Sequence, residues 1–191
     1  WVGIDNIESG RLVGTHLAAL GHRDVAVTAP TGTGELADVD YRPDRATPGV
    51  PSSSYQDDRL RGLWQTLPAG SLRVVTCATN TRQAGREAAA RVLDAADRPT
   101  ALVALSDVVA LGVLDAARVG GLTPGQEVSV AGFDDIPDAA YTGLTTVRQP
   151  IREKGRLAGL LAMDPDYHQR QITLPIDLVV RSSTGPVTPS A

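Results

Sequence analysis

The stretch Val128-Ser129-Val130-Ala131-Gly132-Phe133-Asp134-Asp135 decides how the rest of the chain is read. Its first half is apolar and partly β-branched, the pattern of a strand. It ends in a glycine, an aromatic residue and two adjacent carboxylates. In an open parallel sheet, ligands bind beyond the carboxyl ends of the strands. Asp134 and Asp135 therefore stand where a ligand would be met, or where a turn needs solvating; one strand alone leaves both roles open.

The same arrangement recurs in both directions from that strand. Strands are expected at Val2–Ile4, Asp24–Ala29, Leu72–Cys77, Thr100–Leu105 and Glu127–Phe133, with a short extended piece at Gly143–Val147. Helices are expected at Ser9–Leu20, Gln56–Leu67, Arg82–Ala96 and Asp107–Val119. In the second of these, Leu60, Leu63, Trp64 and Leu67 recur at i, i+3, i+4 and i+7. Pro150 suits the first position of a helix running to Ala162. Gln171–Val180 is a last strand, in which Pro175 marks an edge or a bulge. This alternation predicts an α/β fold with parallel, doubly wound sheets. Two stretches depart from it. Residues 30–55 are rich in Gly, Pro and Asp and too long for an ordinary loop, and residues 136–149 leave the sheet without a helix.

Composition narrows the function. The chain has 191 residues, 42% of them hydrophobic and only 4% aromatic, so a large core must be built from Leu, Val, Ile and Ala. A net charge of −4 argues against a nucleic-acid-binding surface in this stretch. The single cysteine, Cys77, ends an apolar run and reads as a small buried residue. No secretion signal or membrane-spanning run is visible, which fits a cytoplasmic protein.

The polar residues that follow the strands form an inventory: Asp5, Asn6 and Glu8; Thr31 and Thr33; Thr79 and Asn80; Ser106 and Asp107; Asp134 and Asp135. Arg59, in the first turn of the helix after the long loop, points to the same rim. Carboxylates accept from sugar hydroxyls, while Arg and Asn donate in fixed planes, so the set suits a polyhydroxylated ligand. Structural roles are also open to them: Thr81, Ser106 and Asp107 suit helix N-caps, and Arg59 could be a solvated helix residue. Catalytic patterns are weak. Asp134 and Asp135 are chain neighbours, there is no Gly-x-Ser-x-Gly elbow, and no His or Cys has metal-ligand spacing. His16 suits a core or interface. His22 follows a helix end, where a cationic side chain favours the dipole. Gly32-Thr33-Gly34 lacks the lysine and third glycine of a nucleotide loop. No cofactor, metal or catalytic residue is expected.

Several of these stretches together resemble the LacI/GalR family of transcriptional regulators. They are Val2-Gly3-Ile4-Asp5-Asn6, Gly10-Arg11-Leu12, His16-Leu17-Ala18-Ala19-Leu20-Gly21-His22-Arg23, Arg59-Leu60-Arg61-Gly62, Arg98-Pro99-Thr100-Ala101, Ser106-Asp107-Val108-Val109-Ala110-Leu111-Gly112, the stretch 128–135, Leu144-Thr145-Thr146-Val147-Arg148-Gln149-Pro150 and Val179-Val180-Arg181-Ser182-Ser183-Thr184. The resemblance implies a periplasmic-binding-protein-like fold with two lobes and an effector in the cleft. On that map residues 1–22 are the tail of an N-terminal lobe, 23–147 the C-terminal lobe, 148–178 a return segment in the N-terminal lobe, and 179–191 the final segment of the C-terminal lobe. It implies that Arg59 holds the effector and that Asp134 accepts from effector hydroxyls, with Asp107, Ser106 and Asn80 beside them. Ser106 and Asn80 depart from the residue types usual at their positions. Glu8 would be a polar contact from the other lobe.

The resemblance further implies a sugar or sugar-phosphate effector, operator DNA bound through an N-terminal domain with no counterpart in this sequence, and no catalysis or membrane contact. It also implies a homodimer whose face lies around the helix 107–119 and the segment after Asp135, with Leu111, Leu114, Val119, Ala140 and Tyr141 available to it. Two other readings share the fold: a sugar-binding protein of a transporter, and an α/β enzyme. Because 1–22 and 150–178 offer only two strands, the native polypeptide is expected to extend upstream of Trp1.

Overall fold

The computed structural model describes residues 1–30, 38–40, 54–68, 70, 72–164 and 171–187. Nine strands and six helices are assigned among them: β1 Val2–Ile4, α1 Asn6–Ala19, β2 Val25–Pro30, β3 Asp38–Asp40, α2 Ser54–Thr66, β4 Leu72–Cys77, α3 Arg82–Leu93, β5 Ala101–Ala104, α4 Asp107–Val119, β6 Ser129–Asp134, α5 Pro137–Thr142, β7 Thr145–Arg148, α6 Ile151–Met163, β8 Ile172–Leu174 and β9 Asp177–Val179.

Seven strands form one sheet in the order β3-β4-β2-β5-β6-β7-β9. Its five inner strands are parallel, each reached by a helical crossover. The edges differ from the all-parallel expectation: β3 pairs antiparallel with β4, and β9 antiparallel with β7. Successive inner-strand side chains point to opposite faces. Val25, Val27 and Ala29 of β2 join Val13 and Leu17 of α1 and Leu60 and Leu63 of α2 in one core. Ala26, on the other face, joins Ala84 and Ala88 of α3 and Val109, Val113 and Leu114 of α4. Burial on both faces is why these strands read as nearly continuous apolar runs.

Thr28 is the discordant residue in β2. It is fully buried, and its hydroxyl has no hydrogen-bond partner among the described residues. Replacing an orphaned buried hydroxyl by a methyl group of the same shape removes a desolvation penalty. Thr28→Val is therefore expected to raise stability by about 1 kcal/mol, read as a higher urea midpoint at unchanged slope. A fall in the midpoint would show that the hydroxyl has a role.

The other two strands, β1 and β8, pair in parallel as a separate small sheet. Ile4, Ile172 and Leu174 pack there with Leu157 of α6. Ile151, Leu160 and Met163 of α6 remain exposed.

Packing assigns α1 to the large sheet. Helix α1 was expected in the N-terminal lobe with β1, yet Val13 and Leu17 are fully buried in the core of the seven-stranded sheet. The change of sheet therefore falls at Asp5, directly after β1. The expected strand Gln171–Val180 is two strands. Residues 172–174 belong to the small sheet and 177–179 to the large one. Pro175 lies between them, where a residue without an N–H interrupts no ladder. The segment 136–149, expected to lack a helix, carries the six-residue α5, with Pro137 as its first residue.

The C-terminal segment straps the large sheet through side chains. The Ser183 hydroxyl donates to the Val130 carbonyl at 2.6 Å and accepts from the Thr145 amide at 2.8 Å. His22, expected as a cation at a helix end, is instead 2% exposed. One ring nitrogen lies 2.9 Å from the Thr100 hydroxyl, and the other donates to the Gly185 carbonyl at 3.1 Å. Burial holds its pKa below the usual histidine value, which favours the neutral ring.

Candidate functional site

The helix after the long connection places Arg59 one turn into the protein. Tyr55, four residues earlier, lies on the same helical face. The guanidinium carbon lies over its ring at 5.4 Å from the centroid, and over the ring of Phe133 of β6 at 4.6 Å. Arg59 is only 5% exposed. Its Nη1 donates to the Leu105 carbonyl at 2.6 Å, and its Nε to Asn6 Oδ1 at 3.2 Å. Nη2 lies 3.9 Å from Asp134 Oδ1, too far for a hydrogen bond. Among the described residues, Nη2 is therefore the free arm of a fixed fork.

Asp134 closes β6 with φ of 125°, and Asp135 follows at 56°. Non-glycine residues with positive φ carry strain and cluster at binding sites. Here the twist sends the two carboxylates apart. Asp135 forms ion pairs with Arg148 and Arg181, each at 2.7 Å, and ties the loop to the C-terminal segment. Asp134 turns towards Arg59 and accepts from Gln149 Nε2 at 2.5 Å. Its pKa is pushed up to about 6; burial outweighs the opposing pull of Arg59, and the Asp107 carboxylate adds to the rise.

These groups border a cavity of about 220 Å³ lined by Pro30, Tyr55, Gln56, Arg59, Asn80, Leu105, Ser106 and Asp134. The Ser106 hydroxyl donates to Asn80 Oδ1 at 2.5 Å, which leaves the Asn80 amide group as a donor. Ser106 also caps α4, accepting from the Val109 amide at 3.4 Å. The wall thus offers a planar cation, a carboxylate, an amide and hydroxyls around a space the size of a small polar molecule.

Four of the six expected site residues come together here: Arg59, Asp134, Asn80 and Ser106. Asp107 does not join them. It is fully buried beneath the loop, where its carboxylate accepts from the Thr146 hydroxyl at 2.6 Å and the Ile136 amide at 3.0 Å. Burial raises its pKa, but its acceptors are occupied by the protein. Glu8 also stands apart. It pairs with Arg11 at 3.5 Å and borders a separate hollow of about 470 Å³ with Leu12, Thr15, His16, Thr66 and Leu178. Thr31, Thr33, the Gly32-Thr33-Gly34 stretch, His168 and most of the 30–55 segment lie outside the described residues.

Tyr55, Gln56 and Gln149 were not anticipated. A signal for the first two existed: they precede Arg59 by four and three residues, the spacing that shares a helical face. Among the described residues no group of three His, Cys, Asp or Glu side chains could hold a metal ion, and no helix is long and apolar enough to cross a membrane.

Residues 15–184 match the periplasmic binding protein-like domain family. The chain belongs to that family. It is 34% identical to an HTH-type transcriptional regulator of Mycobacterium tuberculosis, over 97% of this chain and 53% of the relative, and 31% identical to the regulator DegA of Bacillus subtilis, over 97% and 52%. The chain spans about half the length of the curated relatives it matches. Among solved structures it is similar to a LacI family transcriptional regulator from Enterococcus faecium with bound ribose. The TM-score there is 0.78 at 26% identity, covering 98% of this chain and 65% of the other. A LacI family regulatory protein from Chloroflexus aggregans gives a TM-score of 0.72 at 32% identity, covering 97% and 63%. The resemblance read from scattered motifs is thus shown, as is the periplasmic-binding-protein-like fold.

Proposed function

We propose that this chain is the effector-binding part of a DNA-binding transcriptional repressor, and that the cavity at Arg59 and Asp134 binds a sugar or sugar phosphate without turning it over. The observation that carries this reading is the pairing of a free guanidinium arm with a half-screened carboxylate on one polar cavity. Adjacent sugar hydroxyls present donors and acceptors together, and this pair answers both. The regulators among the relatives and the ribose in a related structure support the same reading. Effector binding would shift the relation between lobes and so change the affinity for operator DNA carried elsewhere in the polypeptide. The change of sheet at Asp5 supports this, because Asn6, the next residue, bonds Arg59 directly.

The expected setting is cytoplasmic and the expected assembly a homodimer. Leu111 and Leu114 are buried in the core and have no part in such a face. Val119 and Tyr141, 73% and 90% exposed, remain for it together with the exposed Ala140.

The reading is tested on the full-length protein with D-ribose, D-glucose, D-galactose and D-fructose against nucleosides and amino acids. A sugar should raise the melting temperature and alter binding to an operator fragment. Its affinity should fall below about pH 6, where the Asp134 carboxylate gains a proton and loses acceptor strength. Stabilisation by nucleosides or amino acids alone would defeat the proposal.

A further inference from the structure

We propose that Gln56 is a specificity-determining residue of this cavity, and that its side-chain amide reads one particular hydroxyl of the effector. The inference rests on the sugar-binding reading above and deepens it.

Gln56 sits in the first turn of α2, three residues before Arg59, and is 5% exposed while lining the cavity. Its Nε2 donates to the Tyr55 hydroxyl at 3.2 Å. Its Oε1 is shielded from water and has no hydrogen-bond donor among the described residues. Two other buried polar atoms share that condition, on Thr28 and Arg73, and neither residue lines the cavity. The remaining polar groups of the wall are largely engaged. Asn80 Oδ1 takes the Ser106 hydroxyl, Asp134 Oδ1 takes Gln149, and two arms of Arg59 are bound to Leu105 and Asn6. Among the described residues of the wall, Gln56 therefore carries the buried side-chain acceptor that has no partner.

Buried polar groups are almost always paired, and an orphan at a cavity wall is accounted for when a ligand supplies the partner. The last torsion of a glutamine is soft, so a small turn of the amide brings Oε1 to the cavity surface. The Tyr55 hydroxyl, having accepted from Nε2, still has its own proton to give. Tyr55 and Gln56 thus present a neutral donor and a neutral acceptor side by side. That pair matches a single hydroxyl used in both directions. A sugar lacking that hydroxyl would leave the amide oxygen buried and unpaired, which is how a polar pocket rejects a deoxy analogue.

The test uses the full-length protein, the four sugars named above and their phosphates, and the monodeoxy analogues of whichever sugar binds most tightly by calorimetry. Without sugar, Gln56→Leu should melt at or above the wild-type temperature, because the orphaned group is gone. It should bind that sugar roughly three- to ten-fold more weakly, and lose the wild-type discrimination against one deoxy analogue while keeping the rest. If Gln56→Leu fails to fold, Gln56→Met, unbranched and of similar length, is read by the same criteria. Wild-type affinity together with an unchanged deoxy profile overturns the assignment of Gln56 and leaves the sugar reading standing. Failure of all four sugars and of their phosphates to bind the wild-type protein overturns both.

Discussion

Arg59→Ala is expected to weaken effector binding roughly ten- to hundred-fold, the loss of one charge-assisted hydrogen bond of about 1.5–3 kcal/mol. The guanidinium is held before any ligand arrives, by the Leu105 carbonyl, by Asn6 and by contact with the Tyr55 and Phe133 rings. Little ordering cost then falls on binding, so most of the hydrogen-bond energy is realised. Asp134→Ala should give a loss of similar size. Arg59→Lys is the informative companion, because it keeps the charge but gives up the planar fork that reaches Leu105, Asn6 and the cavity together. If calorimetry shows unchanged affinity in Arg59→Ala and Asp134→Ala, neither residue belongs to the site.

Gly62→Ala should be among the most damaging small substitutions in the fold. Helices α1 and α2 cross at glycines. A β-carbon on Gly62 would stand 2.1 Å from the Ile7 carbonyl oxygen, and one on Gly10 would stand 2.2 Å from the carbonyl oxygen of Arg59 itself. Both obstacles are backbone, so relief requires the helices to move apart. Overpacking of this kind costs about 1–3 kcal/mol and sometimes more. At the upper end this lowers the melting temperature by roughly 6–12 °C in a domain of this size. The same movement would shift Arg59, so effector affinity should fall with stability. Gly155→Ala on α6 is the control. A β-carbon there meets nothing within 4 Å, and the change should be neutral or stabilising by up to about 1 kcal/mol. Equal melting temperatures for the two variants would show that the α1–α2 crossing is looser than described.

The alternation of strands and helices was legible because burial on both faces makes the inner strands plainly apolar, and because each helix carries one apolar stripe. Which core a stripe faces is not written in its period. Val13 and Leu17 of α1 recur at helical spacing, but only packing against Leu60 and Leu63 of α2 shows that they belong to the large sheet. Pro175 signalled an interruption in the last strand, but not that the chain changes sheets there. The edge strand β3 is three residues, Asp-Val-Asp, too short and too acidic to carry a strand pattern.

The site divides along the same line. Strand ends pointed to Ser106, Asp107 and Asp134 alike, because position in the chain is equal for all three. Depth separates them: Asp107 is spent on Thr146 and Ile136, while Asp134 is left facing the guanidinium. Its backbone at φ 125° aims it there, and nothing in an Asp-Asp pair announces that twist. Arg59 stood out through the family motif. Tyr55 and Gln56 were hidden by an uncertain helix start, although their spacing from Arg59 could have drawn them in.

A crystal structure of the full-length protein, grown with the sugar that binds most tightly, tests the central claim most directly. The account predicts the sugar in the Arg59–Asp134 cavity, with one hydroxyl within about 3 Å of both an Arg59 nitrogen and an Asp134 oxygen, and Asp107 still bonded to Thr146. A sugar seated instead in the hollow bordered by Glu8, His16 and Leu178, with the Arg59 cavity empty, would contradict it.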